Sequence, residues 1–306
     1  MIWDNIKVLV TGGAGFIGQN LVKKLLELKA EVIVLDNFSY GLRINIPSGC
    51  KLIEGDIRNK EILEKIPKVE YVFHFAAPSS IILFNNNPQE CIDITVSGFL
   101  NVLEFSKKNK IKKLIYPSSG SVYGKTSIPQ KENDMPQPVN IYGKTKLISE
   151  ALAKVYSEWV PNIGLRIFAG YGPGEEHKGN FASVVTLFLN AIINNKSPEI
   201  YGDGKQKRDF IYIDNIIEAI IKSVEENIEN EIINIGSGKA YTFNEVFAMF
   251  NLLLGKNIKP IYINKPNNYL ENTLADITKM KNLLKVNPLS LEEGLKRYLV
   301  SKGYKV

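Results

Sequence analysis

Short apolar runs alternate with amphipathic stretches along the first half of the chain. Lys7–Thr11, Glu31–Asp36, Lys51–Glu54, Tyr71–Phe75, Leu114–Ser118 and Ile163–Ile167 each read as strands. Between them, Ile17–Leu28, Pro88–Lys108 and Tyr142–Trp159 carry apolar positions at helical spacing. Strands that are apolar along their length, alternating with helices, predict an α/β protein with a doubly wound parallel sheet. After Phe168 the rhythm loosens, with loops rich in Gly and Pro at Gly170–Gly174 and Pro198–Gly204. The expected division is therefore 1–168 as the wound domain and 169–306 as a smaller mixed lobe. Strands from about 209–236 are expected to return to the first domain, since Ile211–Ile213 and Ile232–Ile235 both look like strands.

Composition changes this picture little. The 306 residues, 44% hydrophobic and 23% charged, can bury a full core. A net charge of +6 suits a phosphorylated ligand, but equally nucleic acid or an anionic membrane, so charge alone decides nothing. The densest basic run, Lys107 to Lys113, has lysines without arginine or interleaved aromatics and reads as a solvated helix end leading into the next strand. No nucleic-acid partner is expected. The two cysteines, Cys50 and Cys91, show no metal spacing and no bridge framework. A first strand within a few residues of Met1 leaves no room for a signal peptide. No apolar run approaches the roughly 20 residues of a membrane helix. A soluble protein of a reducing cytoplasm is expected.

Between the first strand and helix lies Thr11-Gly12-Gly13-Ala14-Gly15-Phe16-Ile17-Gly18, a G-x-x-G-x-x-G spacing. Gly12 permits the tight turn, Gly15 lets backbone N–H groups approach a pyrophosphate, and Gly18 lets helix and strand pack closely. A glycine triplet alone is weak evidence. Asp36 strengthens it by ending the second strand, where a carboxylate can bind ribose hydroxyls and repel a 2′-phosphate. NAD is thus favoured over NADP, with Arg43 as the residue that speaks against this. Asp56 and Ile57, after the third strand, either flank the adenine or begin a helix with Asp56 as its cap.

Tyr142-Gly143-Lys144-Thr145-Lys146 is a Y-x-x-x-K run, and on a helix its tyrosine and lysine lie one turn apart on one face. The lysine charge is expected to lower the pKa of the phenol towards neutral pH. The segment Pro117–Gly124 supplies hydroxyls at the carboxyl end of a strand, where wound sheets bind ligands. His74 is a tempting acid/base but reads as a structural strand-end residue.

Together these motifs resemble the extended short-chain dehydrogenases/reductases, in the branch containing UDP-glucose 4-epimerase. The likeness covers nearly the whole chain: TGGAGFIG at 11–18, HFAA at 74–77, SSGSVYG at 118–124, YGKTK at 142–146, YGDGKQKRDFIYIDN at 201–215 and ADITK at 275–279. It implies a Rossmann domain with bound NAD and a nucleotide-diphosphate sugar as substrate. Ser119, Tyr142 and Lys146 would be catalytic, with Ser119 sharing the proton and Lys146 also binding the nicotinamide ribose. The cofactor would rest against Phe16, Ile17, Asn37, Phe75, Ala76, Ala77, Ser79, Thr95 and Phe168 besides the residues above. Ser79, Ser121, Asn180, Tyr201 and Arg208 would hold the substrate, Tyr201 beside the base and Arg208 at the diphosphate. The resemblance also implies a homodimer, with the helices at 88–108 and 142–159 paired as a four-helix bundle. Val102, Leu103, Phe105, Leu147, Leu152 and Val155 are the apolar residues expected to need cover, from a second copy or from the chain's own second lobe.

Three departures narrow the reading. Dehydratases and sugar-acid decarboxylases of this branch place carboxylates after the catalytic hydroxyl residue, where this chain has Gly120 and Ser121. The Leu-Arg-x-Phe run is followed by Ala169 where the epimerases usually have Asn. Near Pro266, where they usually carry a diphosphate-clamping Arg, the nearest cation is Lys265. The expected reaction is 4-epimerisation of a sugar nucleotide, the alternatives being net 4-keto reduction or oxidation, or a non-catalytic NAD(H)-binding regulator.

Overall fold

Strand β1 (Lys7–Thr11) buries both faces: Val8 and Val10 join one core cluster, and Leu9 joins the other. Full burial of one such side chain contributes about 1.5–3 kcal/mol, so a strand apolar on both sides belongs between helical layers. The computed structural model, which describes residues 2–265 and 269–306, places it there. After β1 come α1 (Phe16–Glu27), β2 (Glu31–Asp36), β3 (Lys51–Glu54), α2 (Lys60–Glu64) and β4 (Tyr71–His74). Next follow α3 (Ile81–Asn86), α4 (Pro88–Ile92), α5 (Phe99–Asn109), β5 (Lys113–Ser119), α6 (Ile141–Tyr156) and β6 (Asn162–Ile167). The remainder holds β7 (Ala169–Tyr171), α7 (Val184–Ile193), β8 (Glu199–Tyr201), β9 (Lys207–Tyr212) and α8 (Ile213–Glu225). It ends with β10 (Glu231–Ile235), β11 (Ala240–Thr242), α9 (Phe243–Leu253), β12 (Ile261–Ile263) and α10 (Leu291–Ser301).

The main sheet has the order β10-β6-β5-β4-β1-β2-β3, and every pairing in it is parallel. Helices α1 and α8 cover one face through Leu21, Val22, Leu25, Ile216 and Ile220. Helices α2, α5 and α6 cover the other through Leu63, Val102, Leu103 and Ala153. This is the doubly wound Rossmann arrangement. The smaller part contains β11-β9-β7 and the parallel pair β12-β8.

Two expectations require correction. Ile232–Ile235 does return to the main sheet, as its edge strand β10. Ile211–Ile213 does not. Ile211 lies in β9, whose partners are β7 and β11, and Ile213 opens α8. Apolar runs of this length do not reveal which sheet receives them. The second correction concerns 88–108. Between α4 and α5 the helix widens into a π segment over Asp93–Gly98. There Gly98 lies so close to Ile57 that a Cβ would meet its Cδ1 at 2.5 Å. Such π segments recur at functional sites.

The basic run behaves as a helix end and strand start. Lys107 lies 3.7 Å over the Trp159 ring, and Lys108 and Lys112 pair with Glu64 and Glu70. Lys113 is buried and donates to the Ser223 and Glu226 carbonyls at the end of α8, where a cation meets unpaired carbonyls.

Candidate active site

The turn after β1 is shaped by two close approaches. Gly12 sits at φ +75°, and a Cβ there would meet the Phe75–Ala76 backbone at 2.5 Å. A Cβ at Gly18 would meet the Gly12 carbonyl at 2.0 Å, so helix and turn touch only because Gly18 lacks one. A Cβ at Gly15 would instead approach nothing nearer than 3.4 Å, and Gly15 lines the cleft at the start of α1, where helix N–H groups favour an anion. These residues therefore fit a dinucleotide diphosphate.

The cleft itself encloses about 1090 Å³. It is lined by Gly12, Gly15, Phe16, Ile17, Gly18, Phe75, Ala77, Ser79, Ser119, Ser121, Tyr142, Lys146, Phe168, Asn180, Tyr201 and Arg208. An adjoining recess is lined by Asp36, Asn37, Asp56, Ile57 and Ala76. Thr95 borders neither. It is buried in the π segment, its hydroxyl without a hydrogen-bond partner.

Asp36 accepts from Ala14 N and Phe38 N, each at 2.8 Å, one on each oxygen. Burial raises its pKa against these two bonds, and each oxygen keeps a lone pair for a hydroxyl donor. Arg43 pairs with Glu54 and lies 4.6 Å over the Phe38 ring, so its charge already has a partner. The helix-cap alternative for Asp56 does not hold, because Asn59 caps α2. Asp56 instead binds Arg58 and receives Asn37 Nδ2 at 2.8 Å, and the Arg58 hydrogen bond holds its carboxyl below the usual range. His74 Nδ1 lies 2.8 Å from the Thr11 hydroxyl, and its ring stacks on Phe99. Burial lowers its pKa to about 3, which makes it a neutral structural residue.

Asn140 caps α6 by accepting from Gly143 N at 2.8 Å, and thereby starts the helix one residue before Tyr142. The Ser119 hydroxyl stands close enough to Tyr142 to act on its phenol, and Tyr142 meets Phe84 edge-on, with ring centres 5.3 Å apart. Lys146, one turn on, donates to the Pro117 carbonyl at 3.2 Å. The expected lowering of the Tyr142 pKa by Lys146 is not observed. Burial raises Tyr142, the nearby Ser119 hydroxyl alone opposes it, and burial lowers Lys146 to about 8. Desolvation of both groups outweighs their spacing.

Several neighbours are absent from the sequence reading. Behind β5, Arg166 grips Glu150 through Nε–Oε1 and Nη2–Oε2 contacts of 2.8 Å each, and Ser118 donates to the same carboxylate. An arginine inside the apolar run Ile163–Ile167 was the available signal, since a buried charge needs a partner. Glu175 also lines the cleft, but both its oxygens are engaged, by Lys178, the Ser183 N–H and hydroxyl, and Thr186. At the far end Tyr269 lies 5.6 Å from Tyr201, centre to centre. Arg208 stacks over Tyr269 at 5.1 Å while donating to the Leu270 and Glu271 carbonyls. Pro266 lies outside the described residues. Its neighbour Lys265 pairs with Glu271.

Comparison with known proteins agrees with this geometry. Residues 8–236 match the model of the NAD dependent epimerase/dehydratase family. A putative UDP-glucose 4-epimerase of Methanocaldococcus jannaschii is 37% identical, over 95% of this chain and 96% of that protein. A UDP-N-acetyl-alpha-D-glucosaminuronate decarboxylase of Bacillus cytotoxicus is 32% identical, over 95% of each. The solved structure of a Thermotoga maritima UDP-glucose 4-epimerase with UDP-glucose superposes with a TM-score of 0.93 at 33% identity, covering 98% of this chain and 100% of that one. The matched region carries both the glycine cradle and the serine–tyrosine–lysine set, and the chain belongs to the NAD-dependent epimerase/dehydratase family, within the extended short-chain dehydrogenases/reductases.

Proposed function

We propose that the protein is a sugar-nucleotide 4-epimerase. The observation that carries this reading is the composition of the wall around Ser119 and Tyr142. Gly120 and Ser121 follow the catalytic hydroxyl, and Glu175, a carboxylate of that cleft, has both oxygens occupied. Among the described residues lining this cleft no free carboxylate stands ready to take a carbon-bound proton beside a new ketone, which disfavours dehydration. Decarboxylation, the activity in the name of the Bacillus cytotoxicus relative, lacks the glutamate that such enzymes place after the hydroxyl residue.

Burial disfavours the Tyr142 phenolate in the cofactor-free protein. Once the positive charge of bound NAD favours that form, Tyr142 would take the proton of the C4 hydroxyl, and Ser119 would bond the same oxygen. NAD, when bound, supplies the acceptance and return of two electrons at that carbon. Lys146 stays at hydrogen-bonding reach of Pro117 and holds the ribose end of the site. Small residues, Gly120, Ala169 and Gly170, line the cleft near the hydroxyls and leave the sugar room to turn over. Tyr142 then returns the proton to the oxygen on the inverted carbon.

The test is incubation of the purified protein with UDP-, GDP-, CDP- and dTDP-sugars and no added cofactor, with products identified by NMR. Epimer pairs are expected. Turnover only with stoichiometric NADH would replace epimerisation by net reduction, and release of CO₂ from a sugar acid would replace it by decarboxylation.

A further inference from the structure

The chain from Pro173 to Ser183 forms one wall of the cleft and is tied down at both sides. From α1, Gln19 Nε2 donates to the Gly174 carbonyl at 2.8 Å and Asn20 Nδ2 to the Pro173 carbonyl at 3.1 Å. From α10 and the residue after it, the Tyr298 hydroxyl donates to Glu176 at 3.2 Å and Lys302 pairs with Glu176 at 2.5 Å. The strap so held brings Lys178 Nζ to 4.8 Å above the ring of Phe16, the first residue of α1. That helix starts without a side-chain cap and without an acid in its first turn, so its exposed N–H groups await an anion.

Lys178 is paired, but its partner does not depend on it. Glu175 accepts from Lys178 at 3.1 Å and, independently, from Ser183 N, Ser183 Oγ and Thr186 Oγ1 at 3.0, 2.8 and 2.8 Å. Glu175 remains satisfied when the ammonium turns away. His177 beside it has its pKa lowered by burial and by the Lys178 charge, so it stays neutral and Lys178 is the cation of this wall.

We propose that Lys178 retains the cofactor: held by the anchored strap over the start of α1, its ammonium turns onto the diphosphate of the bound dinucleotide. The substrate's diphosphate offers the same chemistry, but Lys178 stands over Phe16 at the glycine cradle, whereas Arg208 and the tyrosine pair mark another part of the cleft. The inference rests on NAD binding at that cradle. A lysine–phosphate contact is charge-assisted, so its loss should be felt in release rather than in folding.

The experiment loads the protein with NADH and follows its fluorescence while excess NAD displaces it. Lys178→Met, which keeps the length over Phe16, should release NADH roughly tenfold faster or more, and Lys178→Arg should stay near the wild type. Glu176→Gln, outside the cleft, should loosen the strap and accelerate release less. Thermal unfolding of the cofactor-free variants separates misfolding from faster release. If Lys178→Met does not fold, Lys178→Gln and Glu176→Gln carry the test. Wild-type release rates in the folded Lys178 variants would overturn the proposal. So would an effect confined to affinity for UDP-sugars, which would assign Lys178 to the substrate. A wild type that binds no NADH would overturn the functional reading with it.

Discussion

Lys146 meets Tyr142 at the ring and not as a hydrogen-bond partner: Nζ lies 5.9 Å from the ring centre and donates to Pro117. In the cofactor-free protein the lysine therefore carries a desolvation cost without a counter-charge, and its pKa falls from 10.5 to about 8. Between those values the unfolded chain holds a proton that the folded chain has lost, so stability rises with pH across the window. The gain amounts to about 3 kcal/mol at most. Tyr142, raised above 10, works in the opposite direction only beyond pH 10. Denaturant unfolding at pH 7.5 and 9.5 should show the wild type gaining stability relative to Lys146→Met. A constant difference between the two would show that Lys146 does not titrate in this range.

Tyr142→Phe should lower turnover by roughly 100-fold or more, the usual worth of general acid–base catalysis. The fold should survive, because the ring that packs against Phe84 is kept and only the hydroxyl is lost. Steady-state kinetics and circular dichroism check this, and near-normal activity in a folded variant would remove Tyr142 from the mechanism.

Asp36→Ala should act twice. It removes the acceptor proposed for the ribose hydroxyls, which weakens NAD binding and narrows the preference against NADP. It also orphans Ala14 N, which is buried, at a cost of about 1–3 kcal/mol, and removes the acceptor of the half-buried Phe38 N. Calorimetric titration with both cofactors and a melting curve read the two effects separately. An unchanged cofactor ratio alongside lowered stability would make Asp36 a purely structural strand end.

The apolar residues needing cover are not all those expected from the sequence. Val102, Leu103 and Phe105 are buried within the chain by the helical layer itself. Val155 is exposed as expected, and Ile141, Ile148 and Trp159 join it: Ile141, Ile148, Val155 and Trp159 are 38, 44, 65 and 47% exposed, with the first three spaced by seven along α6. A stripe at that spacing fits a second copy packed as a four-helix bundle. Light scattering should give about twice 34.4 kDa, and Val155→Glu with Ile148→Glu should give the monomer. A wild-type mass near 34.4 kDa would leave the stripe without that partner.

Ala169 opens β7 and lines the cleft beside Phe168, where an asparagine amide would reach into the site. If the departure at this position shifts nucleotide preference, Ala169→Asn should tighten UDP-glucose binding by the worth of a hydrogen bond to a charged ligand, about 1.5–3 kcal/mol. Low-micromolar binding by the wild type, with no gain from the asparagine, would show that the alanine costs nothing.

The cradle and the tyrosine–lysine turn were legible because local chain geometry imposes their spacing. The glycines at 12 and 18 answer contacts within a few residues or one strand away, and Tyr142 and Lys146 share one helix. What the sequence hides are contacts between distant segments. Nothing local tells that Ile211 joins a small sheet, that Arg166 finds Glu150, or that Tyr269 comes beside Tyr201. Desolvation is hidden for the same reason, and it reversed the expected effect on Tyr142.

The seventh strand of the main sheet has a last consequence. Because β10 is contributed after β7, β8 and β9 have been laid down elsewhere, the polypeptide passes between the two regions repeatedly. The smaller region is therefore interleaved with the main sheet and not appended to it. A fragment ending at residue 168 would leave β6 as a bare edge, its Leu165 and Arg166 deprived of Ile233 and Asn234. A graft of the whole second half must therefore carry its own strand into the recipient's sheet.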